Sequence, residues 1–142
     1  MPIINLKISK TISSNELQEV VAEITKITTH CLKKKPEFTA ITVQMITKNN
    51  WFVNSKSLEE LNQNSFYLDI KVTDGTNLKD DKTDYIKAIF KYMNTVLDNL
   101  HTESYVYIDE VKGDSYGFGG ITQEFRYIDS KRQTCKAKTT TR

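Results

Sequence analysis

Proline stands at position 2, directly after Met1, and an alternating apolar segment (Ile4, Leu6, Ile8) begins at once. Small residues at position 2 normally let the initiator methionine be trimmed, which would turn the Pro2 nitrogen from an amide into a secondary amine with a lone pair. A free α-amino group titrates at about 7.7–8.0 in peptides. Burial among Ile3, Ile4 and aromatic neighbours would disfavour its charged form and lower that value. A base near neutrality can take a proton from carbon next to a carbonyl and return it elsewhere on the dienol. A charged amine would act as an acid instead. The plain structural reading is that proline is tolerated at the first residue of a strand, and position alone favours that reading over the catalytic one.

Other catalytic chemistries find little support. His30 and His101 are the only histidines, Cys31 and Cys135 the only cysteines, and no Cys/His spacing suits zinc. No metal or organic cofactor is expected. With no G-x-S-x-G, a hydrolase triad is not indicated. Two short segments, Trp51-Phe52-Val53-Asn54 and Tyr116-Gly117-Phe118-Gly119-Gly120, can fold back as hairpins. Their aromatics, Phe52 and Trp51, Tyr116 and Phe118, would wall an apolar pocket or pack at a subunit interface.

These residues must be positioned by a chain of 142 residues, enough for one compact domain. Hydrophobic residues make up 38% and charged residues 27%, which permits a packed core. No apolar run approaches a membrane span, and no basic-then-apolar signal segment opens the chain. The expectation is a soluble, cytoplasmic protein. Of the 20 bases, five lie in residues 131–142, which hold no acid; the body keeps 15 bases against 18 acids, net −3. A phosphate-neutralising surface is therefore not expected. The basic stretch 129–142 has no apolar period and reads as a frayed, flexible tail.

The body is a repeat. Ile4, Leu6 and Ile8 alternate with Asn5 and Lys7, the period of a half-buried strand. Sixty-four residues on, Leu68, Ile70 and Val72 alternate with Asp69 and Lys71. Each strand is followed by an amphipathic helix: Leu17, Val20, Val21, Ile24, Ile27 and Cys31 in one half, Ile86, Ile89, Phe90, Met93, Val96 and Leu97 in the other. Each helix gives way to a β-branched or aromatic strand, Ala40 to Thr47 and Ser104 to Val111. Two β-α-β units, 2–54 and 65–120, with a linker near 55–64, make one domain over 1–128. The fold class is α+β: a four-stranded mixed sheet with both helices on one face. An apolar outer sheet face would call for self-association.

The proline at position 2, the doubled register and the closing VYIDEVKGDSYGFGG together resemble the tautomerase superfamily, whose members use an amino-terminal proline. The second half looks like a 4-oxalocrotonate tautomerase subunit, including its G-x-G-G turn. The double length is similar to macrophage migration inhibitory factor, malonate semialdehyde decarboxylase and cis-3-chloroacrylic acid dehalogenase. The resemblance spans residues 2–128. It implies a homotrimer and an isomerase acting on a small keto/enol or unsaturated acid, with Pro2 as general acid–base.

The resemblance also places residues. Lys34, in KKKPEFTAITV, matches the substrate-facing lysine of the inhibitory factor, with Lys35 one step away. Tyr107 matches an active-site tyrosine that can donate to an enolate oxygen. Where 4-oxalocrotonate tautomerase carries arginines, this chain has Thr76 or Ile12 and Tyr105 or Ile41, and the dehalogenase pair falls on Thr73 and Thr76. None of these can clamp a dicarboxylate bidentately. His30, Glu37 and Asp114 lie near functional positions of relatives without matching them. In the second half Phe66 stands in place of proline. The expected site is thus Pro2 and Tyr107 as catalytic residues, with Lys34, Phe52, Tyr105 and Thr76 binding substrate. The alternatives are a decarboxylase or hydratase of the same superfamily, and a trimeric binding protein on this fold that keeps Met1. An RNA-recognition domain is disfavoured, because its aromatics would sit within central strands.

Overall fold

A computed structural model describes residues 1–139; the last three residues of the basic tail lie outside the described residues. Strand β1 (Ile3–Ile8) buries Ile4, Leu6 and Ile8 and turns Ile3 and Lys7 outward. Helix α1 (Ser14–Leu32) begins where the Ser13 hydroxyl accepts the Glu16 N–H at 3.2 Å. It buries Val20, Ile24, Thr28 and Leu32, spaced four apart down one face. Lys33 ends it in the left-handed region, φ 56°, and strand β2 (Ala40–Met45) follows.

The second half repeats this. Strand β5 (Phe66–Thr73) buries Phe66, Leu68, Ile70 and Val72. Helix α3 (Lys79–Val96) starts with the Asp81 carboxylate accepting the Leu78 N–H at 2.9 Å and buries Tyr85, Ile89 and Met93. Strand β6 (Tyr105–Val111) closes the sheet. The order is β2-β1-β5-β6, with β1 and β2 parallel, β5 and β6 parallel, and β1 antiparallel to β5. Asn5 stands opposite Asp69, its own counterpart in the repeat, so an approximate two-fold axis passes through that pair. The helices share one face, where the Thr28 hydroxyl donates to the Ile24 carbonyl at 2.7 Å and therefore accepts from the buried Tyr85 hydroxyl at 2.9 Å.

The other face is polar rather than apolar, which corrects the premise for self-association. The Asn5 amide approaches Asp69 at 3.4 Å, Lys71 pairs with Asp69 at 3.2 Å, and the Lys7 ammonium lies 5.8 Å from the centre of the Tyr67 ring. Tyr105 and Tyr107 stand on it more than half exposed.

Both hairpins form. Strands β3 (Phe52–Val53) and β4 (Lys56–Ser57) are joined by Asn54 and Ser55, both left-handed. Strands β7 (Gly117–Phe118) and β8 (Ile121–Thr122) are joined by Gly119 and Gly120 at φ 60° and 75°. Two successive left-handed residues give the turn whose twist matches a hairpin.

Two sequence expectations fail. The supposed linker 55–64 contains β4 and a short helix, α2 (Leu58–Leu61), capped by the Ser57 hydroxyl and anchored by buried Leu58. The supposed frayed end is largely helical: α4 runs Gln123–Thr139. The Thr122 hydroxyl caps it by accepting the Phe125 N–H at 3.1 Å. Strong helix formers (Gln, Glu, Arg, Lys, Ala) carry it on without an apolar stripe. Among the described residues no helix is long and apolar enough to cross a membrane.

Candidate active site

The amino-terminal end of β1 opens into a cleft of about 530 Å³. Its floor is the chain start. Pro2 is buried and its carbonyl accepts the Ala40 N–H at 3.2 Å, tying the first residues to β2, while Met1 lines the cleft. One wall comes from the end of α1. The left-handed Lys33 swings the chain off the helix, so Lys34 and Phe38 face the chain start from the sheet edge. The Asn77 side-chain amide donates to the last α1 carbonyl, Leu32, at 2.9 Å, holding the loop after β5 against that turn.

Thr76 on this loop donates its hydroxyl proton to the Thr73 carbonyl at 2.6 Å, leaving lone pairs that accept from Lys34 Nζ at 2.8 Å. The opposite wall is the second hairpin, where the Phe118 ring lies 5.6 Å from the ring of Phe38. Helix α4 roofs the cleft through Phe125, Arg126 and Ser130. Gly117 makes this wall feasible: a Cβ there would sit 2.2 Å from the Ile121 carbonyl oxygen.

The surroundings disfavour positive charge at the chain start. Burial, and then the nearby Lys34 charge, hold the Met1 terminal amine below its ordinary value of 8.0. Burial also lowers Lys34, partly offset by Asp81. Beside the second hairpin, the enclosed Tyr116 hydroxyl finds no partner, and burial pushes its pKa up to about 12.

The expected residues divide into three places. Lys34, Thr76 and Lys35 line the cleft together with Met1, and Pro2 is the buried residue that follows Met1. Phe52 and Tyr105 do not join them. They line a separate hollow with Lys7, Trp51 and Tyr67 at the far end of β1. Antiparallel pairing is the reason: Tyr105 sits beside Tyr67, and Tyr67 beside Lys7, five residues or roughly 16 Å along the strand from Pro2. There Tyr105 donates to Glu103, which holds its phenol above the usual range. Tyr107, opposite Asp69 in mid-sheet, lines neither hollow. His30 borders a shallow depression with Ala22, Lys26, Thr29 and Pro36, apart from the cleft.

Sequence reasoning missed Phe38, Arg126 and the rest of α4. The signal was present in ITQEFRYI, a threonine followed by helix formers directly after the Gly-Gly turn. Among the described residues no group of three or more His, Cys, Asp or Glu side chains could hold a metal ion.

The start of β5 is built differently: the first hairpin, Tyr67 and Tyr105 line the hollow beside it, and bonded side chains fill the strand start itself. At the start of β5 the Ser9 hydroxyl donates to Asn64 Oδ1 at 3.0 Å and accepts the Ser65 N–H at 2.8 Å. The Asn64 amide donates to the Asp98 carbonyl at 2.7 Å, and Phe66 is fully buried.

No family model matches the sequence, and no curated protein matches it. Solved structures do match. Native fused 4-OT superposes with a TM-score of 0.77 at 16% identity, over 86% of this chain and 96% of that one. Pt0534 inactivated by 2-oxo-3-pentynoate gives a TM-score of 0.76 at 9% identity, over 87% and 98%. A macrophage migration inhibitory factor-like protein from Entamoeba histolytica gives 0.65 at 22% identity, over 85% and 97%. The chain has the fold of the tautomerase superfamily.

Proposed function

We propose that this protein is an amino-terminal-proline tautomerase acting on a small keto/enol or unsaturated acid, with Pro2 as its general acid–base. The observation that carries the reading is the chain start at the floor of an apolar-walled cleft, where burial and Lys34 both disfavour a charged amine. Once Met1 is removed, the Pro2 nitrogen inherits that environment as a secondary amine. It takes the proton from the carbon next to the carbonyl. The Lys34 ammonium, held in place by one bond to the Thr76 hydroxyl, has further N–H donors for the oxygen that becomes anionic. The amine then returns the proton to another carbon of the dienol. A lowered amine pKa favours this base role over the acid role that a decarboxylase or hydratase would need.

Fused 4-OT forms symmetric and asymmetric trimers, and we extend a homotrimer to this chain. Tyr107, Tyr105 and Phe52 enter the reading only as residues that a neighbouring copy would bring to the cleft. A chain that keeps Met1 would instead be a binding protein, because its proline nitrogen is an amide and Met1 occupies the cleft. The test is ketonisation of phenylenolpyruvate by wild type and Pro2→Ala. A loss of about 10²–10⁴ in kcat/KM is expected; unchanged turnover would contradict the assignment.

A further inference from the structure

The positions where relatives carry arginines hold threonine, isoleucine or tyrosine in this chain, yet the cleft contains a guanidinium from another source. Arg126, on the first turn of α4, lies flat on Phe118, its guanidinium carbon 3.7 Å from the ring centre. Its Nη2 donates to the Phe118 carbonyl oxygen at 2.8 Å. No carboxylate pairs with it among the described residues, and its Nε is enclosed without a hydrogen-bond partner. A guanidinium has five N–H donors, and only one bond is made.

The neighbouring charges point the same way. Lys33 is committed to Asp81 at 3.3 Å and Lys34 to Thr76, and Asp129 is the only acid lining the cleft against four basic side chains. A positive, partly apolar recess on a body of net negative charge selects small anions from solution. The aromatic platform and the carbonyl fix the fork before ligand arrives, so little ordering cost is left to binding.

We infer that Arg126 receives the substrate carboxylate, and that the cleft takes a carboxylate whose apolar or aromatic body lies against the paired rings of Phe38 and Phe118. One unpaired guanidinium serves one carboxylate. Gly119 is part of the device: a Cβ there would lie 3.2 Å from Arg126 Nη2, on backbone already at φ 60°. The inference rests on the reading of this cleft as the substrate site, but it concerns binding and not proton transfer.

The test is therefore a binding measurement with unreactive probes. Calorimetric titration of the trimmed full-length protein with 3-phenylpropanoate and its uncharged amide should show a preference for the acid. Arg126→Gln should weaken the acid by about 10–100-fold, the range of a lost charge-assisted hydrogen bond, while leaving the amide unchanged. Amide binding by that variant reports that the cleft is still folded. Arg126→Lys should recover part of the loss, and glutarate should bind more weakly than 3-phenylpropanoate. Acid binding unaffected by Arg126→Gln, or no preference of wild type for acid over amide, overturns the inference. The proline assignment is tested by turnover and the Arg126 assignment by affinity for an unreactive acid, so the failure of one is distinguishable from the failure of the other.

Discussion

The two strand starts related by the approximate two-fold axis have opposite fates. At β1 a cleft bordered by Met1 opens between the end of α1 and the second hairpin. At β5 the chain arrives from α2, and the space is filled by the bonded side chains of Ser9, Asn64 and Ser65. The hairpins diverge in step. Register places Phe118 where the first hairpin has Val53, and Gly117 where it has Phe52. Only the second hairpin continues into a long helix, and its ring, Phe118, packs against Phe38. The same unit thus has an open strand start in one half and a filled one in the other.

Breaking the filled end should cost stability and spare chemistry. Phe66→Ala removes a fully buried ring at β5 and should cost about 3–5 kcal/mol in urea unfolding. Turnover per folded subunit should stay near wild type, since the cleft lies at the opposite end of the strand; a parallel loss of kcat would dissolve the distinction between the ends. Gly117→Ala attacks the open end. Its Cβ would collide with the Ile121 carbonyl, so a destabilisation of about 1–3 kcal/mol is expected. Weaker 3-phenylpropanoate binding should accompany it as Phe118 and Arg126 are displaced. Lys34→Ala is the mildest change. Removing a cation that disfavours the protonated amine should move the acidic limb of the kcat/KM profile to higher pH, and a shift to lower pH would contradict the role given to Lys34.

The sheet was legible because its strands alternate strictly and its helices bury one face. Ile4, Leu6 and Ile8 on one strand, and Val20, Ile24 and Leu32 on the helix, announce their periods. The site was legible only where it is local. Pro2 marks the strand start, and Lys34 follows a helix whose end the sequence also marks. Phe52 and Tyr105 were misplaced because nothing in a strand's own residues says which end of an antiparallel neighbour it will meet. The linker was misread because β4 and α2 are too short for a period to appear. Helix α4 was missed because its residues are good helix formers without an apolar stripe, so propensity and the Thr122 cap, rather than pattern, declare it.

The central claim is that a free amine at the floor of the amino-terminal cleft works as a base. The most direct measurement is the pH dependence of kcat/KM for phenylenolpyruvate ketonisation, on protein whose intact mass shows Met1 removed. Burial and Lys34 depress the amine, so kcat/KM should rise with pH and reach its plateau through an apparent pKa below 8.0. A profile that falls across that range, or equal turnover by protein that retains Met1, would contradict the account.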